Sequence, residues 1–155
     1  MIPISKGGIL KKNSDVLNFV ISLVKTPSPP GQEGKVAKII YDQMKKLEYD
    51  EVFTDELGSV IGIINGKRGR TLCFNGHMDH VPEGDPNNWK YPPYSATIEG
   101  DNLYGRATVD MKSALASMIY AAAKARDKEM SNGRIVVTAV VFRGVTRRNY
   151  HEKHS

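Results

Sequence analysis

His77 and Asp79 stand two residues apart in the stretch Thr71 to Pro82 (TLCFNGHMDHVP), just after the apolar residues Leu72, Cys73 and Phe74. That apolar run, bounded by the basic turn Gly66 to Arg70 and by Gly76, has the length and composition of a buried strand. Alternate side chains of an extended backbone share a face, so the Asp79 carboxylate can reach the His77 imidazole. A metal-ligating imidazole commonly donates its other ring N–H to a carboxylate or carbonyl, which fixes the tautomer and raises the basicity of the ligating nitrogen. The carboxyl ends of strands are also where an α/β sheet places its ligands. The competing explanation is a strand-end histidine satisfied by a nearby acid, with no metal involved.

A second element is Tyr104-Gly105-Arg106-Ala107-Thr108-Val109-Asp110-Met111-Lys112, which places Asp110 thirty-one residues beyond Asp79 and leads into a helical pattern. Asp110 can serve there as an N-cap, accepting the free amides of the helix, or as a metal ligand. One residue can do both.

Asn75-Gly76-His77-Met78-Asp79, together with Gly105-Arg106 and Asp110-Met111-Lys112, resemble the two leading motifs of a family of dizinc amidohydrolases and exopeptidases. That family includes acetylornithine deacetylase, succinyl-diaminopimelate desuccinylase and aminoacylase. The resemblance runs over roughly residues 14–142 and takes in Thr26 to Glu33, Asp55-Glu56-Leu57-Gly58, and Trp89 before a proline-rich segment. It implies that His77 ligates one zinc, that Asp79 is a catalytic residue orienting His77, and that Asp110 bridges two zincs. It also implies a cis peptide between Asp110 and Met111. The cofactor implied is zinc, two ions in a complete site, with cobalt as an alternative. The reaction implied is hydrolysis of amide bonds in N-acyl amino acids or small peptides. Ala107 and Ser113 stand where glycine is common and His80 where threonine is common; these departures bear on loop conformation and remove no ligand.

The elements that must position these residues follow from periodicity. Ser14 can cap a helix running to about Lys25, with Val16, Leu17, Val20, Leu23 and Val24 on one face and Pro27, Pro29 and Pro30 beyond its end. A second helix, from about Gln32 to Leu47, turns Val36, Ile39, Ile40, Met44 and Leu47 inward and Lys35, Lys38, Lys45 and Lys46 to solvent. Asp50 to Thr54 and Ser59 to Asn65 read as strands joined by the turn Asp55 to Gly58, followed by a central strand at Thr71. Glu83 to Tyr94 has no hydrophobic periodicity and suits the rim of a site, with Trp89 either walling the cleft or anchoring the loop. Ser95 to Arg106 reads as a hairpin, Met111 to Arg126 as a helix with a small, alanine-rich surface, and Arg134 to Phe142 as a buried strand. Cys73, inside the apolar run, is expected to be a small buried hydrophobe. The fold class expected is α/β, with helices packed on a mixed, largely parallel sheet, the first half of a zinc-exopeptidase catalytic domain.

In the resembled family the last strand leads into two adjacent glutamates, a general base and a zinc ligand. Here it leads into Arg143-Gly144-Val145, so residues 1–142 are expected to be the N-terminal part of a catalytic domain and 143–155 a tail foreign to the family. Neither His151 nor His154 sits in a family-like context. The codons AGA-GGA-G for Arg143-Gly144-Val145 would contain GAG-GAG, two glutamate codons, one nucleotide along, which makes a frame change the expected origin of the tail. The tail carries four basic side chains and one acidic, a net +3 of the chain's +5, so the pI of 9.3 argues little for nucleic acid. With 40% hydrophobic and 25% charged residues, no signal-peptide pattern and no long apolar run, the chain is expected to be soluble, cytoplasmic and free of membrane. It is further expected to be inactive as it stands, or else a non-catalytic half-domain that pairs with another chain or acts as an interaction module, with a dimer or pairing with a missing C-terminal half as the expected association.

Overall fold

The computed structural model describes residues 2–3, 15–127 and 132–141. Helix α1, Asp15–Val24, buries Leu17, Phe19, Val20, Leu23 and Val24, a stripe wide enough to meet two neighbours. Helix α2, Gly34–Lys46, buries Val36, Ile40 and Met44 and leaves Lys35, Lys38, Lys45 and Lys46 exposed. Ile39 and Leu47, expected inside, are half-buried. The Ser14 cap, the two tail histidines and the 143–155 tail lie outside the described residues.

Strands β2 (Glu51–Thr54) and β3 (Val60–Ile64) pair antiparallel across the Asp55 to Gly58 turn. That turn is closed by the Asp55 carboxylate, which accepts the backbone N–H of Leu57 and of Ser59, with Gly58 at φ 97. β4 (Thr71–His77) and β7 (Arg134–Val140) complete a four-stranded sheet in the order β2-β3-β7-β4. A second sheet joins the short β1 (Ile2–Pro3) to the hairpin β5 (Thr97–Glu99) and β6 (Asn102–Tyr104). A turn of π-helical pattern, Thr108–Lys112, precedes helix α3, Ser113–Asp127.

The α/β class and the mixed sheet are as expected, but three finer readings need correction. Two of the three pairings in the larger sheet are antiparallel, and only β4 with β7 is parallel, because the short turn between β2 and β3 forces reversal. The strand at Thr71 is an edge strand and β7 is the interior one. Consequently Leu72 is 53% exposed and Cys73 is exposed, so the thiol is no buried hydrophobe. β7 itself is not buried on both faces: Ile135, Val137 and Ala139 are covered, while Val136, Thr138 and Val140 are half-buried.

That alternation locates the layers. Helices α2 and α3 lie on the face that carries Gly62, Val137 and Gly76, with α1 packed against them through contacts such as Phe19 with Tyr120. The buried core is the seam between this helical layer and the sheet. The opposite face, with Phe53, Cys73 and Asn75 exposed, has no helix over it among the described residues. Among the described residues no helix is long and apolar enough to cross a membrane.

Candidate metal centre

The end of β4 is drawn under α3 by Gly76. A Cβ there would fall 2.8 Å from Leu115 Cδ2 and 2.9 Å from Met118 Cε, so only glycine lets the helix seat this close without displacement. Met111 closes the gap from the other side, its sulfur 3.4 Å from the His77 amide nitrogen, which donates to it. Met78 N–H donates to Val140 O, and Ser28 Oγ donates to Met78 O, so the chain carrying His77 to His80 is tied to β7 on one side and to the loop after α1 on the other.

Asp110 is brought across by a kink in the segment Thr108–Lys112. Its backbone is non-helical, at φ −120 and ψ 94, and the Asp110–Met111 peptide is cis. Lys112, almost fully buried, donates through Nζ to Leu23 O at 2.9 Å and to Thr26 O at 2.7 Å, fastening the start of α3 to the carbonyl end of α1. Burial pushes the Lys112 ammonium down to about 8.

These supports bring His77 Nε2 to 2.9 Å from Asp110 Oδ1. On the other side of the ring, Nδ1 lies 2.9 Å from the Asp79 carbonyl oxygen and 3.3 Å from its carboxylate Oδ1. The carbonyl, rather than the carboxylate that the sequence suggested, is the nearer partner. All of these oxygens are acceptors. With a proton on Nδ1 facing Asp79, Nε2 turns its lone pair toward Asp110, so a cation placed between the two would meet both donors. An imidazole nitrogen and a carboxylate are donors that suit zinc. Their exposures differ: the side chains of His77 and Asp79 are 8% and 7% exposed, that of Asp110 67%. The ligating edge therefore faces a cleft of about 540 Å³. Among the described residues no group of three or more His, Cys, Asp or Glu side chains is placed to hold a metal ion.

Two features escaped the sequence. His80 Nε2 accepts the Ser28 N–H at 2.9 Å, so its proton sits on Nδ1, which donates to Val81 O. Burial holds the His80 imidazole below its ordinary 6.5, against the Val81 hydrogen bond and with the positive charges of Lys112 and Arg106 adding to the effect. His80 is thus a neutral strut and not a ligand. The second is Arg106, whose guanidinium lies over the Trp89 ring, 4.8 Å from its centroid. Trp89 both lines the cleft and anchors its loop, Nε1 donating to Glu83 O at 3.0 Å. Sequence offered only one signal for Arg106, its place in the second motif.

Residues 73–141, from within β4 to the end of β7, match the profile of peptidase family M20/M25/M40. The likeness to the M20 peptidases is thus carried by this segment of the chain. Solved structures that the chain resembles include an M20 metallo-carboxypeptidase and a dinuclear metal-binding M20 peptidase. Over 113 residues the chain is 35% identical to succinyl-diaminopimelate desuccinylase of Blochmanniella floridana, covering 70% of this chain and 29% of that protein. The M20 metallo-carboxypeptidase Sso-CP2 of Sulfolobus solfataricus superposes with a TM-score of 0.79 at 25% identity, over 90% of this chain and 34% of that one. Human carnosine dipeptidase 1 shares the fold at a TM-score of 0.70 and 19% identity, over 81% and 31%. The chain thus spans about a third of the length of the M20 proteins it matches.

Proposed function

We propose that the chain carries one wall of a zinc centre that hydrolyses amide bonds in N-acyl amino acids or small peptides. His77 Nε2 and Asp110 would be the ligands, and Asp79 the residue that holds the His77 ring. The observation that carries this is the 2.9 Å approach of His77 Nε2 to Asp110 Oδ1, with Nδ1 already committed to Asp79. When bound, zinc would supply Lewis acidity to the scissile carbonyl and acidify water. Asp79 fixes the tautomer that turns the Nε2 lone pair toward Asp110, the Lys112 anchor holds the Asp110 turn in place, and Trp89 limits solvent entry from the loop side.

The described residues furnish two donors where a catalytic zinc takes three from protein. We therefore infer that the 155-residue chain alone binds zinc weakly and does not turn over. Zinc titration by calorimetry should show weak binding that His77→Ala reduces by roughly tenfold or more, in line with loss of one ligand of two. No N-acetyl amino acid hydrolysis should accompany it. Binding unchanged by His77→Ala would remove the site, and tight two-metal binding with turnover would remove the inference of inactivity.

A second reading is favoured by the uncovered sheet face, where Phe53 is 45% exposed, and by the edge strand β4, where Leu72 is 53% exposed. In it the chain is a half-domain that pairs with another polypeptide supplying the remaining ligands. Sedimentation separates the two readings: a monodisperse monomer with cooperative unfolding argues against obligate pairing.

A further inference from the structure

We propose that Arg106, stacked on Trp89, is the carboxylate-recognising group of the cleft that holds His77 and Asp110. This inference rests on the amide-hydrolase reading and names the substrate feature the site selects. Its grounds are four. The guanidinium lies over the indole face, 4.8 Å from the ring centroid, a geometry that holds a planar fork still while leaving its edge available. The platform is itself fixed, because Trp89 Nε1 donates to Glu83 O and Pro93 O accepts the Arg106 backbone N–H. Among the described residues no carboxylate lies within ion-pair distance of the guanidinium, and the buried Arg106 Nε has no hydrogen-bond partner. A buried donor left without an acceptor is unfavourable, so no internal partner competes for the guanidinium.

The fourth ground is position. Arg106 and Trp89 line the same cleft as His77 and Asp110, so an anion held by the fork lies beside the ligating edge. Glu83, an acid of the same loop, accepts from Tyr94 OH through Oε2 and interacts with the Arg106 charge without forming an ion pair. Asp79 faces the His77 ring. The fork then matches the two oxygens of an N-acyl amino acid's carboxylate, and that of a peptide's C-terminus equally. An amide-capped ligand lacks the second acceptor and the charge.

Trp89 is the chain's single tryptophan, so its indole N–H gives one resolved signal in a nitrogen-correlated NMR spectrum. The full 155-residue chain, stripped of metal with EDTA, is titrated at constant ionic strength with N-acetyl-L-alanine and with N-acetyl-L-alanine amide. The carboxylate should shift the indole signal saturably and the amide should not. Arg106→Gln should weaken carboxylate binding by about ten- to a hundredfold, the range for a charge-assisted hydrogen bond. Arg106→Lys, which keeps charge but not the fork, should fall between. Circular dichroism checks that each variant is folded; if Arg106→Gln is not, the Lys variant and the amide control on the unaltered chain decide. An equal response to the amide, no saturable response to the carboxylate, or undiminished binding by folded variants would overturn the proposal. Because no metal is present, such a failure is distinct from failure of the zinc titration, which tests the hydrolase reading separately.

Discussion

Ala107 adopts a left-handed backbone, φ 62, while Ser113 sits in ordinary right-handed helix at φ −70. Both stand where the resembled motif commonly has glycine, and only the first has a conformation that glycine relieves. Ala107→Gly should therefore raise unfolding free energy by about 0.5–1 kcal/mol, and Ser113→Gly should lower it by a similar amount. Urea unfolding of both variants measures the contrast. His80 makes a pH-dependent contribution whose sign follows from its burial. Its neutral form is favoured in the fold, so the unfolded chain takes up the proton first as pH falls through 6.5. Stability from this residue is complete above that pH and is lost progressively below it. The unaltered chain should lose stability faster than His80→Gln between neutrality and mildly acid pH, and parallel curves would contradict the assignment. At this scale the motif residues were legible because their chemistry and short spacing survive in the linear chain. The Ser28–His80 pair was not, since its partners are 52 residues apart and nothing local marks serine as an anchor.

Among the elements, the hydrophobic periodicities of α1, α2 and α3 placed those helices well, because a 3.6-residue stripe reports directly on which face meets the core. The sheet was harder. Leu72-Cys73-Phe74 reads identically whether a strand is interior or at an edge, and the order β2-β3-β7-β4 depends on a pairing between segments more than sixty residues apart. Polar cross-links between elements were equally hidden. Lys112 is marked in sequence only by its place in the second motif, which says nothing of a partner, yet its Nζ reaches back to the carbonyls of Leu23 and Thr26 at the end of α1. Lys112→Met keeps the stem's volume and leaves those carbonyls without their donor. A loss of about 1–3 kcal/mol is expected for buried acceptors left unsatisfied. Thermal unfolding tests it, with an unchanged midpoint excluding a bracing role for the lysine.

For the molecule as a whole, a helical layer covers one side of the sheet and the described residues leave the other side open. Apolar surface at a sheet edge promotes association. Leu72→Lys should shift the chain toward monomer in sedimentation equilibrium, weakening association by roughly tenfold if burial of that side chain contributes on the order of 1.5 kcal/mol. The order of strands has a further consequence for how the protein is made. β7 lies between β3 and β4, pairing with Val60–Ile64 on one flank and Thr71–His77 on the other. A ribosome delivers those two flanking strands first, and they do not pair with each other. Until Val140 has emerged, the nascent polypeptide holds two separated ribbons with no keystone, and the histidine end of β4 has nothing to be registered against. Synthesis of the described residues thus has an interval in which the ligand-bearing strand is finished but lacks the partner that β7 supplies.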